Sequence, residues 1–356
     1  MTQIKVGLVG LGEVAQIIHL PILQAHSDTF EIAAICDISQ ELLAAMGERY
    51  NVPVAYRYLD YNELARQENL DAVLVLNSDE YHTDPALAAL QHGKHVLIEK
   101  PMCLTRQEAE SIIKARDEAG VQVMVGYMRR YAPAFVQAVE QVRALEKINY
   151  ARVRDIIGQN AQFIEQSSVV LRPKDISQEA MHDRAERGSQ LVKTAIGEAP
   201  PHLVSTYRML CGLSSHDLSA MRELLGMPSR VIAARKTGNF LTALLEYENF
   251  TVTFETGVDR NRRFDAHIQV YGESREIRVQ YNTPYIRQLP TRLFVTETHG
   301  EALEEREIRP TFTDPYTMEL LHFSEVVRHN IQPKTSAEDF LHDFALFEMI
   351  IDALRR

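Results

Sequence analysis

The run Ile4 to Val9, followed at once by Gly10, Gly12 and Ala15, constrains this chain more than any other stretch. A short apolar strand that breaks into G-x-G-x-x-A and then turns into a helix is the opening of a dinucleotide-binding βαβ unit. Each small residue has a task. Gly10 allows the tight turn, Gly12 lets the backbone approach a pyrophosphate, and Ala15 permits close packing of helix on strand while the helix N-terminus faces the anion. Glu13 and Val14 complete the cofactor-binding turn between them.

The same rhythm continues to about residue 126. Strands are expected at Glu31 to Cys36, Ala72 to Leu76, His95 to Ile98 and Gln122 to Val125, all short and apolar enough to be buried on both faces. Helical spacing fills the intervals at Gln40 to Tyr50, Tyr61 to Gln67, Pro85 to His92 and Arg106 to Ala119, the last closed by Gly120. Strands alternating with helices make a parallel α/β sheet, a Rossmann domain over residues 1–126. Asp37 ends the second strand, where a carboxylate would accept the adenosine ribose hydroxyls and repel a 2′-phosphate. Ile38 and Ser39 follow it rather than an arginine, so NAD is expected as the cofactor and NADP is less so. Read blandly, Asp37 is only a turn former.

After about residue 150 the pattern changes to consecutive strands: Ala151 to Ile157, Arg230 to Arg235, Leu241 to Tyr247, Thr251 to Thr256, Ala266 to Tyr271 and Glu276 to Gln280, with Leu293 to Thr296 as a further one. Asn249, Gly257 and Gly272 with Glu273 and Ser274 supply turn chemistry, which points to a mostly antiparallel sheet in an α+β domain over 127–335. A polar, helical stretch over about 159–210 interrupts it and fits a solvated surface insertion as well as a lid. A last helix over 336–356 starts at Ser336 as N-cap and carries Phe340, Phe344, Phe347, Ile351 and Leu354 on one stripe, which is core packing.

Composition narrows the partners. A formal net charge of -11 disfavours nucleic acid and anionic membranes, so a small molecule is the expected partner. Three cysteines with no CxxC spacing suggest a reducing compartment and no cysteine metal site. The N-terminus does not read as a signal peptide, and no apolar run approaches the roughly 20 residues of a spanning helix. A cytoplasmic protein without a required metal is expected.

The segment Gly93 to Pro101 puts Glu99 and Lys100 at the end of a buried strand, the edge where open α/β sheets hold their ligands. Partial desolvation there would fit a lysine for proton transfer, although a lone lysine at a strand end is more often a surface charge. His216, in Ser214-Ser215-His216-Asp217, reads as a helix-start histidine with an unperturbed pKa suited to base work, or as a satisfied structural one. Asp217 would orient the helix N-terminus.

Together, Gly10-x-Gly12-x-x-Ala15, Asn77 to His82, Gly93 to Pro101 with Glu99-Lys100-Pro101, and Val125-Gly126-Tyr127-Met128-Arg129-Arg130-Tyr131 resemble the glucose-fructose oxidoreductase, inositol dehydrogenase and rhizopine catabolism (Gfo/Idh/MocA) family over nearly the whole chain. The resemblance implies a Rossmann domain, a mostly antiparallel α/β domain, a final helix packing back on the first domain, and reversible oxidation of a sugar or cyclitol hydroxyl. It implies that Lys100 contacts nicotinamide ribose and substrate, and that Asn77 and His82 line the nicotinamide half. It places Tyr127, Arg129 and Arg130 beside the substrate, one arginine serving equally well as a salt-bridge partner. Pro101 is where a cis bond is expected. The resemblance also implies an aspartate, usual in the family, four residues before the histidine; Gly212 stands there, leaving Lys100 and His216 as acid/base pair. A homodimer or homotetramer is implied by analogy.

The expected function is NAD-dependent interconversion of a secondary alcohol of a sugar, cyclitol or glycoside with its ketone. The absent aspartate leaves open a reductase of a dihydrodiol or tetrapyrrole, and a cofactor-binding sensor without turnover is the reading from another class.

Overall fold

The computed structural model describes residues 2–356, and the chain divides into two compact units that do not follow chain order. One unit comprises Met1–Gly126, Val169–Glu198 and Glu319–Leu341, the other Tyr127–Ser168, Ala199–Met318 and His342–Arg356.

In the first unit the chain runs β1 (Ile4–Val9), α1 (Leu20–Ala25), β2 (Phe30–Cys36), α2 (Gln40–Arg49), β3 (Arg57–Tyr58), α3 (Tyr61–Ala65), β4 (Ala72–Val75), α4 (Thr83–Gln91), β5 (His95–Glu99), α5 (Arg106–Ala119) and β6 (Val123–Gly126). The six strands pair in parallel in the order β3-β2-β1-β4-β5-β6. From β1 the chain winds outward through β2 and β3, then crosses to β4 on the other side. The loops that leave β1 and β4 therefore diverge, and a crevice opens at the strand C-termini. Every residue of β4 is buried, as the continuous apolar run requires. Local chemistry fixes α5: Thr105 Oγ1 accepts from Glu108 N while Glu108 answers Thr105 N, and Gly120 closes the helix at φ 66°.

The second unit begins with α6 (Pro133–Arg143), β7 (Tyr150–Gly158) and α7 (Asn160–Ser167); α8 (Gln178–Ile196) belongs to the first unit. It resumes with α9 (Pro201–Met209), α10 (Ser215–Leu225), β8 (Arg230–Thr237), β9 (Phe240–Glu246), β10 (Thr251–Asp259), β11 (Phe264–Tyr271), β12 (Arg275–Tyr281), β13 (Arg292–His299) and β14 (Ala302–Ile308). The unit boundary runs through the last two helices, α11 (Pro315–His329) and α12 (Ala337–Arg355). The eight strands lie in the order β14-β13-β12-β11-β7-β10-β9-β8, antiparallel except for the β7 and β10 pair. Along β7, buried Ala151 and Val153 alternate with the half-buried Arg152 and Arg154, so one face is core. In α12, Phe340, Phe344, Phe347 and Ile351 are buried, each contributing about 1.5–3 kcal/mol by leaving water.

Two expectations are corrected. Gly257 is not a turn but an interior residue of β10, where a Cβ would lie 2.5 Å from the Phe240 ring; the glycine makes room for an aromatic on the neighbouring strand. His216 does not start a helix, because α9, a π turn at Leu210–Ser214 and α10 form one continuous run. Asp217 accordingly caps nothing.

Candidate active site

At the crevice of the first unit, Gly10 adopts φ 95° and a Cβ there would meet Asn77 N at 2.4 Å, so only glycine fits. Gly12 is the opposite case: nothing lies within 4 Å of its missing Cβ, which leaves open space in front of the turn. Asp37 reaches across, its Oδ2 accepting from Leu11 N at 2.7 Å and its Oδ1 from Ser39 N at 2.9 Å. Burial raises the Asp37 pKa, the two amides oppose the rise, and the charge of Asp175 adds to it.

Next to this turn, a π turn at Ala15–His19 aims a wholly buried His19 at the end of β5, where its Nε2 lies 2.8 Å from Glu99 Oε1. Glu99 Oε2 accepts from Lys100 N at 3.2 Å. Burial would push the Glu99 carboxyl up, but the bond and charge of His19, with Lys100, hold it below the usual range. Lys100 itself is half-buried and is joined to Pro101 by a cis peptide bond. Buried His82 clamps the adjoining loop: Nδ1 is 2.8 Å from Pro101 O and Nε2 is 3.0 Å from Asn77 O. Asn77 Nδ2 donates to Tyr81 O at 3.3 Å, while its Oδ1 is buried with no hydrogen-bond partner. The first unit therefore gathers Gly10, Gly12, Asp37, Asn77, His82, Glu99, Lys100 and Pro101 along one edge.

The second unit holds the remaining candidates around a buried charge cluster. Arg129, 3% exposed, pairs through Nη1 with Asp217 Oδ1 and lies 3.5 Å through Nη2 from Asp155 Oδ2. Two buried carboxylates, Asp155 and Asp217, thus face the one Arg129 guanidinium. Burial, opposed by Arg129 and reinforced by Asp155, lifts Asp217 well above the ordinary carboxylate range. Arg130 bonds Glu223 through Nε at 2.6 Å. Tyr127 is wholly buried, its hydroxyl bonded to Asp343, which also accepts from Arg222 Nε at 2.9 Å. The His216 ring meets the Tyr127 ring edge-on at 6.4 Å. Arg129 also faces an open pocket with Tyr281, Asn282, Thr283, Asp314 and Tyr316. The Tyr281 hydroxyl and Thr283 Oγ1 are buried and have no hydrogen-bond partner.

The sequence pattern of Gfo/Idh/MocA, an oxidoreductase family with an NAD-binding Rossmann fold, matches residues 4–127. Over that N-terminal third the chain is similar to the Gfo/Idh/MocA oxidoreductases. It is 34% identical over 135 residues to an inositol 2-dehydrogenase of Salmonella typhimurium, covering 38% of this chain and 40% of that enzyme's length. A myo-inositol 2-dehydrogenase of Thermotoga maritima matches at 27% identity over 275 residues, 73% of this chain and 81% of that one. In fold, the chain resembles an aldose-aldose oxidoreductase of Caulobacter crescentus solved with glycerol, at TM-score 0.76 and 21% identity over 99% of this chain and 98% of that one. It also resembles a 3-ketoreductase of Actinomadura kijaniata solved with NADP, at TM-score 0.71 and 18% identity over 99% and 97%.

A dinucleotide fits this crevice on the structure's own terms. Open space lies before Gly12, the chain there leads into a helical turn, and the Asp37 carboxylate stands at the end of β2. Sequence reasoning missed His19, Asp155 and Asp343. His19 had a visible signal, a lone histidine in the apolar run Ile17-Ile18-His19-Leu20. Asp155 and Asp343 had none, because their partners are set by tertiary packing.

Proposed function

We propose that this protein interconverts a secondary alcohol of a sugar, cyclitol or glycoside and the corresponding ketone, with NAD as hydride carrier and with Lys100 and His216 as acid/base groups. The observation that carries the reading is Lys100 itself: it ends a buried parallel strand beside an anchored carboxylate, at the edge where this sheet receives its dinucleotide.

When bound, the nicotinamide accepts or returns the hydride. His216 or Lys100 takes the hydroxyl proton as the carbonyl forms and returns it in reduction, while positive charge on Lys100 steadies the developing alkoxide. Glu99, fixed by His19, holds the strand end, and His82 fixes the loop carbonyls of Asn77 and Pro101. Arg129 and Arg130 contribute to substrate binding through the field of the buried cluster, and Tyr127 forms part of the wall beside His216. The pocket beside Arg129 offers amide, hydroxyl, carboxyl and guanidinium groups from Asn282, Thr283, Asp314 and Arg287 among the rings of Tyr281 and Tyr316, polar partners that a polyol can use. Inositol dehydrogenases among the relatives support the same class. A homodimer or homotetramer belongs to this reading and is checked by sedimentation.

The test is to titrate NADH and NADPH and then screen inositols, sugars and glycosides with the preferred oxidised cofactor. Turnover of a polyol by wild type, with Lys100→Ala binding NADH normally but inactive, is the expected result. A Lys100→Ala enzyme that keeps wild-type turnover overturns the assignment.

A further inference from the structure

The stretch 169–177 runs without helix or strand within the first unit, between α7 and α8, and it is tied to the cofactor loops at three points. Gln16 pins its start, donating to Leu171 O at 3.0 Å and accepting from Leu171 N at 2.8 Å. Arg172 Nη2 pairs with Glu13 Oε2 at 2.9 Å. Farther on, Asp175 Oδ1 accepts from Ser39 Oγ at 2.6 Å and Asp175 Oδ2 from Glu41 N at 3.1 Å. Glu41 in turn accepts from Lys174 N at 3.0 Å.

The position of Asp175 is chemically specific. Ser39 caps α2, its Oγ accepting from Leu42 N, and Glu41 N is one of the amides the helix start leaves without an internal partner. Such a start, two residues past the ribose-binding Asp37, offers a hydroxyl and free amides to an anion. A 2′-phosphate on the adenosine ribose would seek those donors. Here a carboxylate from the distant strap already holds them, and its charge is felt by Asp37.

We propose that Asp175 is a cofactor-specificity residue: its carboxylate occupies the anion position at the start of α2 and, with Asp37, excludes the 2′-phosphate, so that the strap selects NAD over NADP. This rests on reading the first unit as a nicotinamide-dinucleotide site. Asp37 alone would disfavour the phosphate by charge; Asp175 also removes the donors that could compensate.

The experiment measures NADH and NADPH dissociation constants by fluorescence titration on wild type, Asp175→Asn, Asp175→Glu and Arg172→Ala. Asp175→Asn is expected to lower the NADPH-to-NADH ratio of dissociation constants by about tenfold, the scale of removing one charge near a phosphate at a partly exposed site. Asp175→Glu should retain the wild-type ratio. Arg172→Ala loosens the strap but leaves the carboxylate, so it should shift both cofactors in parallel. An Asp175→Asn ratio equal to wild type, or an equal change in Arg172→Ala, overturns the proposal while NADH binding leaves the cofactor site standing. Wild type that binds neither cofactor overturns both. Salt supplies a check without mutation: NADPH affinity of wild type relative to NADH should rise as ionic strength screens the two carboxylates, and a fall would count against them.

Discussion

His19 Nε2 stands 2.8 Å from Glu99 Oε1, which joins the helix of the glycine-rich turn to the strand that delivers Lys100. Both side chains are buried, so the bond is shielded from water and the carboxylate depends on it. The relationship makes the glycine-rich turn and the end of β5 one mechanical piece.

Removing the histidine leaves that carboxylate without its strongest partner, and His19→Ala is expected to cost about 1–3 kcal/mol in urea unfolding at neutral pH. The pH dependence follows from the depressed Glu99 pKa. A carboxyl lowered in the folded state adds stability above its unfolded value, about 4.3, and loses it as pH falls through the folded one. Wild type should therefore lose stability relative to Glu99→Gln on acidification below about pH 5. Parallel pH profiles for the two proteins would remove Glu99 from the account.

Gly10 and Gly12 should separate folding from binding. At Gly10 a methyl group meets backbone at 2.4 Å in a positive-φ conformation, so Gly10→Ala is expected to lose more than about 2 kcal/mol of stability. At Gly12 a methyl meets nothing, so Gly12→Ala should unfold like wild type but bind NADH at least about tenfold more weakly, because it narrows the approach to the pyrophosphate. Unchanged NADH affinity in Gly12→Ala would argue against the pyrophosphate lying there.

The buried cluster of the second unit gives opposite effects from neighbouring substitutions. Arg129→Met leaves a buried acid without a counter-charge and should cost about 3–5 kcal/mol. Asp217→Asn removes a carboxyl whose charged form burial disfavours, keeps an oxygen that can accept from Arg129 and leaves Asp155 as its counter-charge, so it should cost under about 1 kcal/mol at neutral pH. The raised Asp217 pKa means the folded state keeps a proton that the unfolded chain releases above about pH 4, so wild type loses stability as pH rises through that window. Asp217→Asn lacks this loss, and its stability relative to wild type should improve between about pH 4.5 and 7. Urea midpoints at the two pH values decide it.

Legibility followed the range of the interactions. The parallel sheet, Gly10, Asp37 and the end of β5 could be read because strand, turn and helix signals are local. β14 could not: nearly all its residues are exposed, and Glu304, Glu305 and Arg306 charge an edge strand that has no buried face to print an alternation. Nor could β3, which has only two residues. The helices α6 and α11 announce themselves only by Pro133 and Pro315, each at a helix start. Asp175 sat in what read as a polar insertion because its partners, Ser39 and Glu41, lie in another part of the chain. The π turns carry no sequence mark at all.

The second π turn bears on the position where the family resemblance implies an aspartate. Gly212 lies inside it, four residues before His216. In a regular α-helix that spacing stacks two side chains on one face. Closing the turn from i to i+5 inserts a residue, which turns position 212 by about 100° away from that face. The structure agrees: Gly212 is exposed, and its missing Cβ would meet nothing within 4 Å. Two outcomes follow. Gly212→Ala should stabilise the protein by about 0.5–1 kcal/mol, read from the urea midpoint, because it removes glycine from a helical run with room for a methyl. Gly212→Asp should leave the NMR titration of the His216 ring where it is in wild type, because the added carboxylate points to solvent rather than to the imidazole. An upward shift of that titration in Gly212→Asp would mean that the turn brings position 212 back beside His216, and that the glycine took a working acid from this site.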